Sequence, residues 1–175
     1  MASANLNVMI KAARKAGRAL VKDFREVENL QVSVKGAGDF VTRADREAER
    51  VIKEELRNAR PNYGWLGEET GEDAGEDPTR RWIVDPLDGT KEFINRTDEF
   101  TVNIAMIEHG EPVLGVVVVP ASDLLYYARA GEGADASVAR LAGVQNGGCK
   151  VGVGEKVKGG RVGRRGTDDD AACDG

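Results

Sequence analysis

Two short acidic motifs stand out for the chemistry they can do. "GEE" ends in Glu68 and Glu69, and "RWIVDPLDGTKEF" carries Asp85, Asp88, Gly89 and Thr90. Each lies just after a run of strand-forming residues, so their carboxylates can converge from neighbouring strand ends. Mg²⁺ takes hard oxygen ligands near octahedral geometry, a few of them carboxylates and the rest carbonyl, water or phosphate oxygens. Asp85 and Asp88, three residues apart across a turn stiffened by Pro86, can face one ion. That turn leaves the Leu87 carbonyl pointing into the same space. Gly89 lets the backbone approach an anion closely, and its N–H together with that of Thr90 can bind phosphate oxygens. The Thr90 hydroxyl can orient a water. "KEFI" can begin a helix whose positive end meets the same phosphate.

Read alone, D-P-x-D-G is a β-turn, since Pro, Asp and Gly are the usual turn residues. "GEE" alone is an exposed acidic loop. Asp45 alone is a first-turn helix carboxylate opposing the dipole, and Thr90 alone is a helix cap. The two motifs together within 25 residues of chain argue for a site. A phospho-aspartyl mechanism needs D-x-D-x-T after the strand. In that frame the chain reads "PLDGT", with Pro86 in the nucleophile position. An aspartyl nucleophile is therefore disfavoured, and a metal-activated water is the better candidate.

The elements that must hold these residues are set by periodicity. Apolar groups at Leu6, Met9, Ile10, Ala13, Gly17, Leu20, Val21 and Phe24 predict a helix over 5–27. "LQVSV" (30–34) alternates as a strand does, and "KGAGDF" reads as a loop. Thr42 can cap a second helix over roughly 43–59, with Ala44, Ala48, Val51, Ile52 and Leu56 inward and Pro61 and Asn62 after it. "YGWL" and "RWIV" read as strands separated by an acidic loop. "FTVNIAMIE" and "PVLGVVVV" form a hairpin, and "LLYYARA" (124–130) is a third strand. Two helices followed by mostly antiparallel strands make an α+β class. Residues 1–130 are expected to be one domain. The glycine-rich segment 131–175, with no aromatic residue, has little to bury and is expected to be poorly ordered.

Composition narrows the class further. A net charge of −5 argues against an electrostatic nucleic-acid binder. The first twenty residues are interrupted by Lys11, Arg14, Lys15 and Arg18 and read as neither a signal peptide nor a membrane span. Cys149 and Cys173 imply no zinc or disulfide framework, which makes a reducing cytoplasm the default.

"KGAGDFVTRADREAE", "GEE" and "WIVDPLDGT" together resemble the inositol monophosphatase superfamily of Mg²⁺-dependent, lithium-sensitive phosphomonoesterases. The resemblance runs from about residue 6 to 133. It implies the first half of a layered α/β/α/β/α sugar-phosphatase fold, with two helices on a largely antiparallel sheet. It implies that Glu68, Asp85, the Leu87 carbonyl and Asp88 bind metal. Glu68 and Thr90 would position the attacking water, with Asp45 hydrogen-bonded to Thr90. The amides of Gly89 and Thr90 would hold phosphate, and Lys35, Asp39 and Lys91 would lie near the site mouth. The implied reaction is in-line attack by a metal-activated water on a phosphate monoester.

Within the superfamily two signals compete. "DPLDGTKEFI" and the hairpin after it are similar to the 3′(2′),5′-bisphosphate nucleotidases of sulfate assimilation. The first 80 residues look more like bacterial inositol monophosphatases. Because Lys91 and Glu92 stand beside the reacting group, the expected substrate is adenosine 3′(2′),5′-bisphosphate, with inositol 1-phosphate as the alternative. The superfamily also has a second half with a W-D-x-A-A-G-like motif, which this sequence lacks after Trp82. The tail reads as an out-of-frame or truncated product. A third expectation is therefore a non-catalytic fragment that acts only through self or partner association, including a homodimer.

Overall fold

A computed structural model describes residues 2–29 and 34–138. Two long helices, α1 (Ala2–Asn29) and α2 (Val34–Ala59), precede seven strands. These are β1 (Tyr63–Gly67), β2 (Gly71–Asp73), β3 (Asp77–Asp88), β4 (Thr101–Glu108), β5 (Glu111–Val119), β6 (Leu124–Arg129) and β7 (Gly133–Val138). One short helix, α3 (Thr90–Ile94), comes directly after β3. The strands form one sheet in the order β2-β1-β3-β4-β5-β6-β7. Every neighbouring pair is antiparallel except β1 and β3, which run parallel. The α+β class and the two-helix layer are as expected.

Both long helices pack on the sheet by a face the sequence marks out. On α1 the buried line is Leu6, Met9, Ala12, Ala13, Ala16 and Leu20; on α2 it is Ala44, Ala48, Ile52 and Leu56. Small residues let α1 lie close, and a β-carbon at Gly17 would come within 3.2 Å of Pro120. On the sheet, alternation sorts the side chains. Trp82, Val84, Ile104, Met106, Leu114, Val116 and Val118 are buried under the helices. The intervening residues face the other way, where Ile83 and Tyr126 remain 36% and 44% exposed. The β4–β5 hairpin closes through His109 and Gly110, both at positive φ (53° and 84°), the backbone of a type I′ turn.

Three expectations change, and a fourth falls almost wholly outside the described residues. The predicted strand at 30–34 lies outside the described residues, apart from Val34, which is already helical. "KGAGDF", expected as a loop, is the start of α2, and Thr42 lies inside that helix instead of capping it. Gly36 and Gly38 each cost a helix about 1 kcal/mol but do not forbid it, and no proline lies between Val34 and Ala59 to stop it. The acidic loop contains the three-residue β2, paired with β1 through Trp65↔Asp73. At the far end, β7 pairs with β6 from Leu124↔Val138 to Arg129↔Gly133. Ordered strand thus continues past the expected domain end at residue 130. The predicted tail beyond 138 lies outside the described residues.

Candidate active site

The site begins with the one parallel strand pair. Parallel neighbours end on the same side of a sheet, so the residue leaving β1 meets the C-terminal end of β3. Register pairs Gly67 with Val84, and the Glu68 amide donates to the Val84 carbonyl at 3.2 Å. Glu68 therefore leaves β1 beside Asp85.

The second device is a β-bulge. Asp85 pairs with Asn103 and Asp88 with Thr101, so Pro86 and Leu87 stand opposite Val102 alone. In a regular strand, residues three apart point to opposite faces. The extra residue cancels that parity and turns Asp85 and Asp88 to the same face. Leu87 drops into the core at 1% exposure while Asp88 is exposed. The expected Pro-Asp-Gly turn is thus a bulge within β3. Proline is tolerated there because a bulge leaves one residue outside the hydrogen-bond ladder.

Third, α2 brings its own carboxylates to this sheet end. Asp45 and Glu49 are buried at 5% and 0% exposure, on the same face as Ile52 and Leu56. The Glu49 carboxylate accepts the amides of Glu69 (2.7 Å) and Thr70 (2.9 Å) and also the Thr70 hydroxyl. Arg46 pairs with Glu69 at 3.1 Å, and Lys53 reaches the Thr70 hydroxyl at 3.4 Å. Successive turns of α2 thus grip the β1–β2 connection that carries Glu68.

Crowded carboxylates resist ionising together. Burial, then the charges of Glu69, Glu68, Asp85 and Glu49, pushes the Asp45 carboxyl up to about 7. Burial, a hydrogen bond with Glu68, and the charges of Glu68 and Asp88 push Asp85 up to about 7. The Oδ1 atoms of both Asp45 and Asp85 are buried without a hydrogen-bond partner.

Beyond the bulge, Gly89 sits at φ 97°, and a β-carbon there would lie 2.8 Å from the Glu99 carbonyl. This position requires glycine for its backbone and for space. Helix α3 starts at Thr90 and runs five residues, a single turn with a correspondingly small dipole. Phe93 anchors it between Phe24 (5.3 Å between centroids) and Phe100 (5.0 Å). The Thr90 hydroxyl donates to the Leu87 carbonyl at 3.3 Å, not to Asp45 as expected. Asn103 donates to Asp88 at 3.1 Å. Lys91 is exposed on α3. Lys35 and Asp39 lie in the first turns of α2, and their side chains are outside the described residues.

The donors gathered here are hard oxygens: three carboxylates and a carbonyl on two adjacent strand ends. That chemistry, with two buried unpartnered carboxylate oxygens, fits a small divalent cation. Among the described residues, no group of three or more acidic, His or Cys side chains already encloses a metal position. Glu68 and Asp85 bond to each other, and Asp88 turns to Asn103. Motif reading missed Glu49 and Asn103. Glu49 carried a signal, a carboxylate in register with the apolar stripe Ile52 and Leu56. Asn103 carried none, because its position opposite Asp85 exists only in the folded sheet.

This helix-on-sheet half, with acidic residues at the ends of its parallel strands, defines a phosphatase-like fold of the sugar-phosphatase type. The chain belongs to the inositol monophosphatase family, whose profile matches residues 2–164. That match extends beyond residue 133, where the motif resemblance ends. An inositol-1-monophosphatase of Rhizobium meliloti (strain 1021) is 54% identical over 139 residues, which is 79% of this chain and 52% of that protein. The crystal structure of the extragenic suppressor protein suhB from Bartonella henselae superposes with a TM-score of 0.68 at 51% identity, covering 76% of this chain and 52% of that one. CysQ from Bacteroides thetaiotaomicron, described as a bacterial member of the family, superposes with a TM-score of 0.66 at 38% identity over 83% and 53%. The chain spans about half the length of the curated relatives it matches. Among the described residues no helix is long and apolar enough to cross a membrane.

Proposed function

We propose that this chain carries the metal- and phosphate-binding half of a Mg²⁺-dependent phosphomonoesterase that acts on inositol 1-phosphate in the cytoplasm. The observation that carries the reading is the crowding of Glu68 and Asp85, at the ends of β1 and β3, with Asp45 of α2, where two carboxylate oxygens are buried without partners. The family is generally metal-dependent. A bound Mg²⁺ supplies Lewis acidity toward a phosphate oxygen and acidifies water. Glu68, Asp85, Asp88 and the Leu87 carbonyl are the residues that would hold it. Glu68 accepts the proton of the attacking water, and the Thr90 hydroxyl orients that water once it turns from Leu87. Asp45, on α2, lies in the field of the Glu69, Glu68 and Asp85 carboxylates. The amides of Gly89 and Thr90 receive the phosphate, with Lys35, Asp39 and Lys91 at the mouth.

The substrate choice departs from the one the Lys91–Glu92 segment suggested. The relatives named inositol-1-monophosphatase weigh for the inositol ester, while the CysQ likeness keeps adenosine 3′,5′-bisphosphate as the competitor. Phosphate release from both compounds, with and without Mg²⁺, tests this. Mg²⁺-dependent turnover is expected to be faster on the inositol ester and lost in Asp88→Asn. Faster turnover of the nucleotide reverses the substrate. No Mg²⁺-dependent turnover on either removes catalysis from this chain. The exposed sheet face around Ile83 and Tyr126 favours a second reading, a chain that acts through self-association. Sedimentation as an active monomer would sink that reading.

A further inference from the structure

We infer that Glu49 is a positioning residue that sets the direction of Glu68 by clamping the β1–β2 turn, an inference that rests on the metal-site reading above. Glu68 is held from both sides by this one carboxylate. On its C-terminal side, Oε2 of Glu49 accepts the Glu69 amide and Oε1 accepts the Thr70 amide and hydroxyl. On its N-terminal side the carboxylate lies against Gly67, where a β-carbon would fall 2.6 Å from the Glu49 Cδ. Glu49 is itself fully buried, and its backbone belongs to a long helix packed against the sheet. The clamp is therefore anchored to the core and not to the loop it holds. The Thr70 hydroxyl also accepts from the Trp65 indole at 3.1 Å, which ties the same turn to β1. Unlike Glu68, Glu49 bonds main-chain and hydroxyl donors among the described residues. It orients the site without joining it.

A residue that fixes a ligand's orientation from behind typically changes metal affinity about 10- to 100-fold when lost. A Gln at this position keeps the shape but turns an NH₂ toward an amide donor. The test is Mn²⁺ titration of the full chain by calorimetry, for wild type, Glu49→Gln, Thr70→Val and Glu54→Gln, with amide hydrogen exchange read at Glu69 and Thr70. Thr70→Val removes one bond to Glu49 without changing charge. Glu54→Gln removes an equal charge from an exposed position on the same helix, where Glu54 pairs with Arg50 at 3.3 Å. Affinity is expected to fall about tenfold in Glu49→Gln, less in Thr70→Val and not at all in Glu54→Gln, with faster exchange confined to the turn. An unchanged affinity in folded Glu49→Gln overturns the clamp, and so does an equal loss in Glu54→Gln. If Glu49→Gln does not fold, Thr70→Val decides, and an unchanged affinity there overturns it. If the wild type binds no Mn²⁺, the metal-site reading fails, and the exchange data decide the clamp separately. Faster exchange at Glu69 and Thr70 in the variants then supports it, and unchanged exchange overturns it.

Discussion

Asp45→Asn should make the metal-free chain more stable at neutral and alkaline pH and leave it unchanged in acid. The Asp45 carboxyl is pushed from its ordinary 3.8 up to about 7, first by burial and then by the charges of Glu69, Glu68, Asp85 and Glu49. Below the unfolded value the group is protonated in both states and contributes nothing. Between 3.8 and about 7 the unfolded chain has released the proton while the folded chain keeps it. The folded state then binds more protons, so this group's contribution to stability falls as pH rises through that window and levels off above it. Three pH units correspond to about 4 kcal/mol at 1.36 kcal/mol each. Solvent screening and protons shared among neighbouring carboxyls reduce that to about 2 kcal/mol. An amide has the same shape and does not ionise. Urea unfolding in the presence of a chelator, from about pH 4 to about pH 8, should show the variant gaining on wild type from zero to about 2 kcal/mol. A difference that does not vary with pH, or a variant less stable than wild type at the alkaline end, would refute the idea that crowded carboxylates strain this site.

Saturating Mg²⁺ should raise the wild-type melting temperature at about pH 8 far more than at about pH 5, because protonated carboxyls do not bind metal; thermal scans with and without the ion check this. Gly89→Ala should cost about 1–3 kcal/mol from its positive φ alone, with more from the contact 2.8 Å from the Glu99 carbonyl, read by urea unfolding. Phe93→Ala should cost about 3–5 kcal/mol, since it removes one ring from the cluster with Phe24 and Phe100, and should weaken phosphate binding beside Gly89. Chemical unfolding and phosphate titration separate the two effects.

Much of this was legible from residue types and spacing. Helix α1, the C-terminal part of α2, the strands at "YGWL" and "RWIV" and the β4–β5 hairpin all come from apolar period, a local property that packing only reinforces. The spacing of Glu68, Asp85, Asp88 and Thr90 proposed the donors and disfavoured an aspartyl nucleophile. The glycine-marked loop at "KGAGDF" failed because glycine lowers helix propensity without blocking the next hydrogen bond, as proline does. β7 was missed because "GADASV" has no apolar alternation of its own, and its strand form comes from the β6 edge it pairs with.

The chain alone could state which oxygens are available and how far apart they lie in sequence. Whether two aspartates three residues apart share a face depends on parity in the strand. That parity was set by the partner β4, which offers one residue against two and forces the bulge. Whether Glu68 meets Asp85 depends on β1 and β3 running parallel, a long-range pairing that no local pattern encodes. The role of Glu49 depends on both, since its carboxylate has donors to hold only where α2 crosses the turn between β1 and β2.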